Sequence, residues 1–167
     1  AVKPIPKDFI DIVLKWVPKL EYRAGIVSFL REAKEKYDGR ILIPMFNKSS
    51  EEDDGRWRIC DAIAYNPPLN INDWVRDTYL SKEYGYSETG LLPLAVAKMF
   101  PKDEARAILK QGFDHHYRVT PEALGKVGAA EDIPFLEKKL QMDYDATHVH
   151  KDIEKAIKRI KKRAKLI

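Results

Sequence analysis

The sequence has one cysteine and no long apolar segment. Cys60 has no partner for an intrachain disulfide among the 167 residues, so a reducing, cytoplasmic setting is the simpler expectation. No apolar run approaches the roughly 20 residues that a membrane-spanning helix needs. The first residues, AVKPIPKDFI, lack a charged segment followed by a long apolar one, so we expect no signal peptide.

Strand signals and catalytic motifs are also missing. β-Branched runs are short, and the Asp-Gly pairs at residues 38–39 and 54–55 each precede a helical pattern instead of joining two alternating segments. There is no GxSxG, P-loop or dinucleotide-binding motif, and Cys60 lies inside a helical pattern, RICDAIAY. The sequence therefore predicts an all-α protein, and we expect no enzymatic activity.

The positive charge is concentrated near the end of the sequence. The formal net charge is +4, yet residues 155–165, KAIKRIKKRAK, hold seven of the 30 basic residues and no acidic one. The remaining 23 basic residues are outnumbered by 26 acidic residues, so the rest of the sequence is mildly acidic. This asymmetry weakens any inference from overall charge to a general nucleic-acid-binding surface.

Apolar residues recur at spacings of three and four along almost the whole sequence, as at Ile26, Phe29, Leu30 and Ala33. This is the period of an amphipathic α-helix. Ten helices are predicted, and the short connections between them make five helical hairpins. The predicted helices cover residues 9–20, 22–36, 41–46, 57–65, 71–84, 88–100, 102–112, 120–127, 131–141 and 148–167.

A small residue recurs in the second helix of successive hairpins. Aligning ICDAIAY, LLPLAVAKM, PEALGKV and IEKAIKRI places Ala62, Ala95, Ala123 and Ala156 at one register, 33, 28 and 33 residues apart. An apolar residue follows each alanine. Ser28 lies 34 residues before Ala62 and is a candidate first member. Because a small side chain lets two helices approach closely, we expect the alanines to be buried between neighbouring helices.

Residues 122–140, EALGKVGAAEDIPFLEKKL, resemble the seam between two HEAT-like repeats, where one helix ends in ALGKVG and the next begins with DIPFL. Tetratricopeptide and ankyrin repeats also have periods of thirty to forty residues. This sequence lacks the Trp and Leu-Gly arrangement of the tetratricopeptide repeat and the TPLH motif of the ankyrin repeat. Asp132 is predicted to cap the second helix, with Pro134 in its first turn. Gly128 is predicted to stop the first helix in a left-handed conformation.

The resemblance implies a short right-handed α-solenoid of about five stacked helical hairpins, an armadillo-type superhelix. We expect residues 1–167 to form one HEAT-like domain, ending in a basic capping helix at residues 155–167. In this family the second helices line a concave binding face. With each alanine facing the core, positions one before and three after it share an exposed stripe. The predicted partner-binding residues are Asp61, Tyr65, Leu94, Lys98, Glu122, Lys126, Lys155 and Arg159.

The resemblance implies a non-catalytic scaffold, adaptor or regulator that binds a protein partner, for example by neutralising a toxin or regulating an enzyme. The alternative is nucleic-acid binding, because some HEAT-like proteins, including alkylbase DNA glycosylases, cradle DNA. In that case Lys98, Lys126, Lys155 and Arg159 would contact phosphates, and the basic C-terminal helix would strengthen the interaction.

The four histidines occur as two pairs one repeat period apart, in DHHYR (His115 and His116) and THVH (His148 and His150). If the two loops were neighbours, the imidazoles could supply a tetrahedral zinc site. The simpler interpretation is that they are exposed loop histidines, since no acidic pattern orients their rings. The sequence also lacks the His-Glu dipeptides of deoxyhypusine hydroxylases, which are HEAT-repeat di-iron enzymes. We therefore predict no metal and no cofactor.

Overall fold

The computed structural model describes Ile12 and residues 24–33, 36–49 and 54–165. Within these residues there are ten α-helices and no β-strand, which confirms the predicted all-α class. Apart from Ile12, the first predicted helix, residues 9–20, lies outside the described residues. In chain order the helices are α1 (Ala24–Glu32), α2 (Leu42–Lys48), α3 (Gly55–Tyr65), α4 (Asn72–Leu80), α5 (Tyr86–Thr89), α6 (Leu92–Met99), α7 (Lys102–Gln111), α8 (Thr120–Val127), α9 (Ile133–Lys139) and α10 (Val149–Arg163).

The predicted helix at residues 88–100 is divided in two. Helix α5 ends at Thr89 and α6 begins at Leu92. Pro93 lies in the first turn of α6 and has no N–H, so it cannot continue a helical hydrogen-bond ladder from Thr89. The periodicity of the apolar residues extends across this break, which is why the sequence pattern missed it.

Five helices pack one after another: α1 contacts α3, α3 contacts α6, α6 contacts α8, and α8 contacts α10. We call these the row helices. The other long helices pack against them, with α2 on α3, α4 on α6, α7 on α6 and α8, and α9 on α10. One apolar core cluster extends through these contacts from Val27 to Ile160. None of the helices in the described part of the chain is long and apolar enough to cross a membrane.

The four alanines of the shared register are buried, as predicted. One of them, Ala156, lies where α8 and α10 approach closely. A Cβ added at Gly125 would lie 3.2 Å from Ala156 Cα and 3.3 Å from Ala156 Cβ, so the two helices meet over small residues. Ser28 is exposed, and the extension of the register to it is wrong, because the buried side of α1 is formed by Val27 and Leu30.

Gly128 ends α8, but the predicted left-handed conformation is wrong. Its φ is −59° and its ψ is 154°, which any residue can adopt. Glycine is required here by space instead. A Cβ at this position would lie 2.6 Å from Leu124 O and 2.7 Å from Ile160 Cδ1. Gly128 therefore allows α10 to pack against the end of α8.

Asp132 does not cap α9, although Pro134 lies in the first turn of that helix as predicted. Its Oδ2 atom accepts a hydrogen bond from Ala129 N at 2.9 Å and closes the 3₁₀ turn Ala130–Asp132. The buried carboxylate also accepts hydrogen bonds from Arg106 Nε at 2.5 Å and Lys110 Nζ at 2.8 Å. Burial favours the neutral acid, but these cations outweigh it and hold the pKa of Asp132 below its usual value. Asp132 thus fastens α7 to the turn before α9.

Helix α10 buries one side and exposes the other. Val149, Ile153, Ala156, Ile157 and Ile160 are buried, and Ala156 was predicted to face the core. Helix α10 ends at Arg163, and Ala164, which follows it, is exposed. The exposed side carries most of the basic residues of this segment.

Candidate functional site

The eight residues predicted to bind a partner lie in pairs on four consecutive row helices, α3, α6, α8 and α10. We call the surface that they form the row face. The two members of each pair are four residues apart, so they share one side of their helix. None of the eight is buried: Asp61 and Leu94 are half-buried and the other six are exposed.

Contacts between neighbouring helices make the row face continuous. Lys98 Nζ on α6 donates a hydrogen bond to Tyr65 O on α3 at 3.2 Å and another to Ala64 O. The charge of Lys126 on α8 acts on Lys98, and Arg159 on α10 lies against the Gly125 position of α8. The sequence register therefore selected residues that are neighbours across helices.

At the α3 part of the row face, a tyrosine is held by a neighbouring cation. The Arg31 guanidinium carbon lies 4.1 Å from the centre of the Tyr65 ring, and Arg31 Nε donates to Asp61 Oδ2 at 2.6 Å. The tyrosine is 55% exposed. An exposed aromatic ring fixed by a cation–π contact is a rigid, amphipathic group of the kind that dominates protein interfaces.

Lys98 has a structural role as well as an exposed position. Its ammonium lies at the carbonyl end of α3, where the unpaired C=O groups and the helix dipole favour a positive charge. Its pKa is lowered by partial burial and then by the charges of Lys126 and Lys36. Three lysines therefore converge near the ends of α3, α6 and α8.

A similar contact occurs at two other helix ends. Asn66 Nδ2, just after α3, donates to Leu30 O at 3.0 Å and Ala33 O at 2.8 Å at the end of α1. Arg163 on α10 donates to Gly125 O at 3.2 Å and to Gly128 O at the end of α8. Sequence analysis missed these side-chain caps because each joins groups more than 30 residues apart.

Between α8 and α10 lies a groove of about 660 Å³, which we call the cationic groove. Gly125 lies at its base, where the two helices approach closely. On the α8 side, Glu122 and Lys126 form an ion pair of 2.9 Å. Arg159 and Lys162, on the α10 side, make no ion pair or hydrogen bond with any described residue. The residues lining the groove are Glu122, Gly125, Lys126, Arg159, Lys162 and Arg163.

Lys155, the remaining member of the row face, lies one turn before the cationic groove on α10. Its ammonium is 2.8 Å from Asp152 Oδ1 on the same helix. This exposed pair contributes little to stability, and it leaves Lys155 less available to an external anion than Arg159.

The four histidines are not brought together. His116 is buried, and its Nε2 lies 2.9 Å from Tyr79 O. His115 Nε2 lies 2.7 Å from Tyr84 O, and His150 Nε2 lies 3.0 Å from Met142 O. Because a carbonyl oxygen can only accept, each of these nitrogens carries a proton and is not a metal ligand.

The predicted loop positions hold for His115 and His116, but His150 lies in the first turn of α10 and His148 directly precedes that helix. The predicted exposure is wrong for His116, which is buried, and holds fully only for His148, since His115 and His150 are half-buried. Burial, followed by the nearby His115 ring, lowers the pKa of His116 to about 4. In the described part of the chain, no three His, Cys, Asp or Glu side chains are placed to hold a metal ion.

Aromatic residues line the opposite, N-terminal ends of the row helices. The Trp57 and Tyr86 ring centres are 5.8 Å apart, and Arg118 lies 5.1 Å from the Tyr86 ring and 5.9 Å from the Tyr117 ring. The Tyr117 ring stacks on Tyr144 at 5.0 Å. These side chains contact one another from helix to helix, so we assign them to packing. Periodicity within single helices did not reveal this aromatic ladder, because its members come from separate segments of the chain.

Cys60 is not a candidate nucleophile. It is fully buried in α3, as the helical pattern predicted, and burial raises the pKa of its thiol. No family model, curated protein or solved structure matches the chain. The chain is an all-helical protein, with ten α-helices in its described part.

Proposed function

We propose that this chain is a non-catalytic protein-interaction module that binds a partner protein on the row face. The observation that carries the proposal is that eight residues selected by one sequence register lie on four helices packed in succession, with none of them buried. A continuous surface on several helices suits an extended contact with another protein.

The finer fold assignment is part of this proposal. In a short right-handed HEAT-like solenoid, the row helices would be the second helices of successive hairpins and the row face would be concave. The order of helix contacts and the burial of the four alanines support this arrangement. The chain would then act as an adaptor, or as a regulator that neutralises a toxin or controls an enzyme, and the partner would bind its concave face.

The chemical character of the row face favours a protein over a nucleic acid. Tyr65 and Leu94 are apolar contact groups, and Asp61 and Glu122 would repel phosphates. Lys98 directs its charge to the carbonyl end of α3. Nucleic-acid binding remains the second candidate because the cationic groove holds Lys126 and Arg159, two of the four cations it requires.

The test is affinity capture from native lysate with the wild-type chain and two tyrosine variants. Tyr65→Ala removes an exposed ring from the row face, whereas Tyr86→Ala makes the same change in the aromatic ladder. We expect a protein that is captured by the wild type and by Tyr86→Ala, and lost with Tyr65→Ala, because one central aromatic ring commonly contributes about 2 kcal/mol to binding.

Circular dichroism and thermal unfolding would verify that both variants are folded. Capture that is unchanged by Tyr65→Ala would contradict the row face as the binding surface. Recovery of nucleic acid instead of protein, in a form released by moderate salt, would favour the second candidate.

A further inference from the structure

The cationic groove has an excess of positive charge that the fold does not use. Four of its six residues are cations, and only Glu122 is acidic. Lys126 is paired with Glu122, and Arg163 is engaged with the carbonyl groups at the end of α8. Arg159 and Lys162 are exposed and have no partner among the described residues, so two positive charges of the groove are available to a ligand.

The shape of the groove suits an extended segment. At the base of the groove α8 and α10 approach closely, because a Cβ at Gly125 would lie 3.2 Å from Ala156 Cα and 3.5 Å from Arg159 Cδ. The volume of about 660 Å³ falls within the range of sites that hold small ligands or a few side chains. A chain crossing the groove would meet helix backbone at the floor and cationic side chains at the wall.

From these contacts we infer that the cationic groove binds an acidic peptide segment of the partner protein. The inference rests on the proposed function and specifies the chemistry of one part of the row face. Arg159 presents a planar guanidinium that can hold a carboxylate through two parallel hydrogen bonds, and Lys162 adds a second positive charge three residues further along α10.

The position of Glu122 favours an acidic peptide over a nucleic acid. Its carboxylate lies in the same groove, so a dense chain of phosphates would bring negative charge against it. In a peptide, acidic residues can alternate with neutral ones, and the neutral residues can pass beside Glu122 while carboxylates contact Arg159 and Lys162. The groove thus matches spaced negative charges better than continuous ones.

The experiment is fluorescence-anisotropy titration of the full chain with a labelled synthetic peptide of alternating glutamate and serine. A glutamine–serine peptide and an oligothymidine of equal charge are the comparison probes. The test variant is Arg159→Gln with Lys162→Gln. The matched control, Lys151→Gln with Lys158→Gln, removes the same charge from exposed positions of α10 outside the groove.

We expect the acidic peptide to bind and the glutamine peptide not to bind. The groove variant should weaken acidic-peptide binding about tenfold and the control variant by less than about twofold, since only contacting charges form direct pairs. Arg159→Lys should recover part of the affinity, because it keeps the charge and loses the bidentate geometry.

Equal weakening by the groove and control variants would overturn the inference in favour of general attraction to a basic helix. Tighter binding of the oligothymidine, dependent on Arg159 and Lys162, would overturn it in favour of nucleic acid. Failure of the acidic peptide to bind would remove the groove as a site, yet capture that depends on Tyr65 would still support the proposed function. Capture that is unchanged by Tyr65→Ala would instead contradict the proposed function itself.

Discussion

The α1–α3 end and the α8–α10 end of the row are built from similar contacts with different residues. At the first, a neutral amide, Asn66, covers the carbonyl groups that end α1, and Arg31 is paired with Asp61. At the second, the cation Arg163 covers the end of α8, and Arg159 has no partner within the described residues.

Packing differs between the two ends in the same sense. A Cβ added at Gly25 in α1 would meet no atom of the described residues within 4 Å, whereas one at Gly128 would collide with α8 and α10. The α8–α10 end also contains the buried carboxylate of Asp132, while Asp61 at the first end is half-exposed. The α8–α10 end therefore combines the closer packing with the cation that is available to a ligand.

The largest expected effect is at Asp132. Asp132→Ala should lower the free energy of unfolding by about 3 kcal/mol, because Arg106 and Lys110 would lose their buried partner and Ala129 N would lose its acceptor. Asp61→Ala, which breaks only a half-buried pair with Arg31, should cost far less. Denaturant unfolding monitored by circular dichroism measures both. Equal losses would remove the contrast between the two ends.

Low pH should destabilise the protein through His116, which lies shortly before α8. The folded protein holds its pKa near 4, whereas the unfolded imidazole titrates near 6.5, so the unfolded state takes up the proton first. The stability contributed by neutral His116 is therefore complete above pH 6.5 and falls as the pH drops from 6.5 to 4, by about 2–3 kcal/mol. Unfolding measured across this range should show a smaller decrease for His116→Gln. An unchanged pH profile in that variant would contradict this assignment.

Close packing is tested by matched glycine substitutions. Gly128→Ala should destabilise the protein by about 2 kcal/mol, because the added methyl group would overlap Leu124 O and the Ile160 side chain. Gly25→Ala should be neutral or stabilise by up to about 1 kcal/mol, since it adds helix propensity in open space. Thermal unfolding of both variants gives the comparison directly. A stabilising Gly128→Ala would show that α10 can move away from α8 at little cost.

The smallest effect concerns two buried tyrosines. Tyr79 Oη donates to Leu109 O at 3.1 Å and lies 3.2 Å from Thr120 Oγ1, so Tyr79→Phe should cost about 1 kcal/mol. Tyr37 Oη has no hydrogen-bond partner among the described residues, so Tyr37→Phe should be neutral or slightly stabilising. Denaturant midpoints of the two variants provide the measurement. A larger loss at Tyr37 would reverse this difference.

Short-range periodicity predicted most of the helices and the burial of the four alanines. It did so because apolar spacing records which side of a helix faces the core, whichever helix covers it. The row face followed from the same register, and its members are exposed or half-buried. Its use as a binding surface remains a prediction.

Two of the errors, at Gly128 and Asp132, concern contacts between residues far apart in the sequence. Gly128 was expected to serve the backbone conformation, but it is required by space, against Leu124 O and against the side chain of Ile160, 32 positions later. Asp132 was expected to cap its own helix, but its cationic partners are on α7. The Arg31–Asp61 pair and the Lys98 contact with α3 likewise decide which charges are available, and periodicity within one helix contains no information about them.

The side chains that cover helix ends also determine which helices lose stability when another helix is removed. At the ends of α1, α3 and α8 the covering side chain comes from a later part of the chain, so each of these helices is completed only after a later segment has docked. The end of α6 differs, because Met99 O accepts a hydrogen bond from Asn72 of the earlier helix α4. Loss of α10 would uncover Gly125 O and Gly128 O on α8, while the end of α3, covered by Lys98 of α6, would keep its partner. A truncation at the C-terminus should therefore fray the adjacent helix and leave those before it intact.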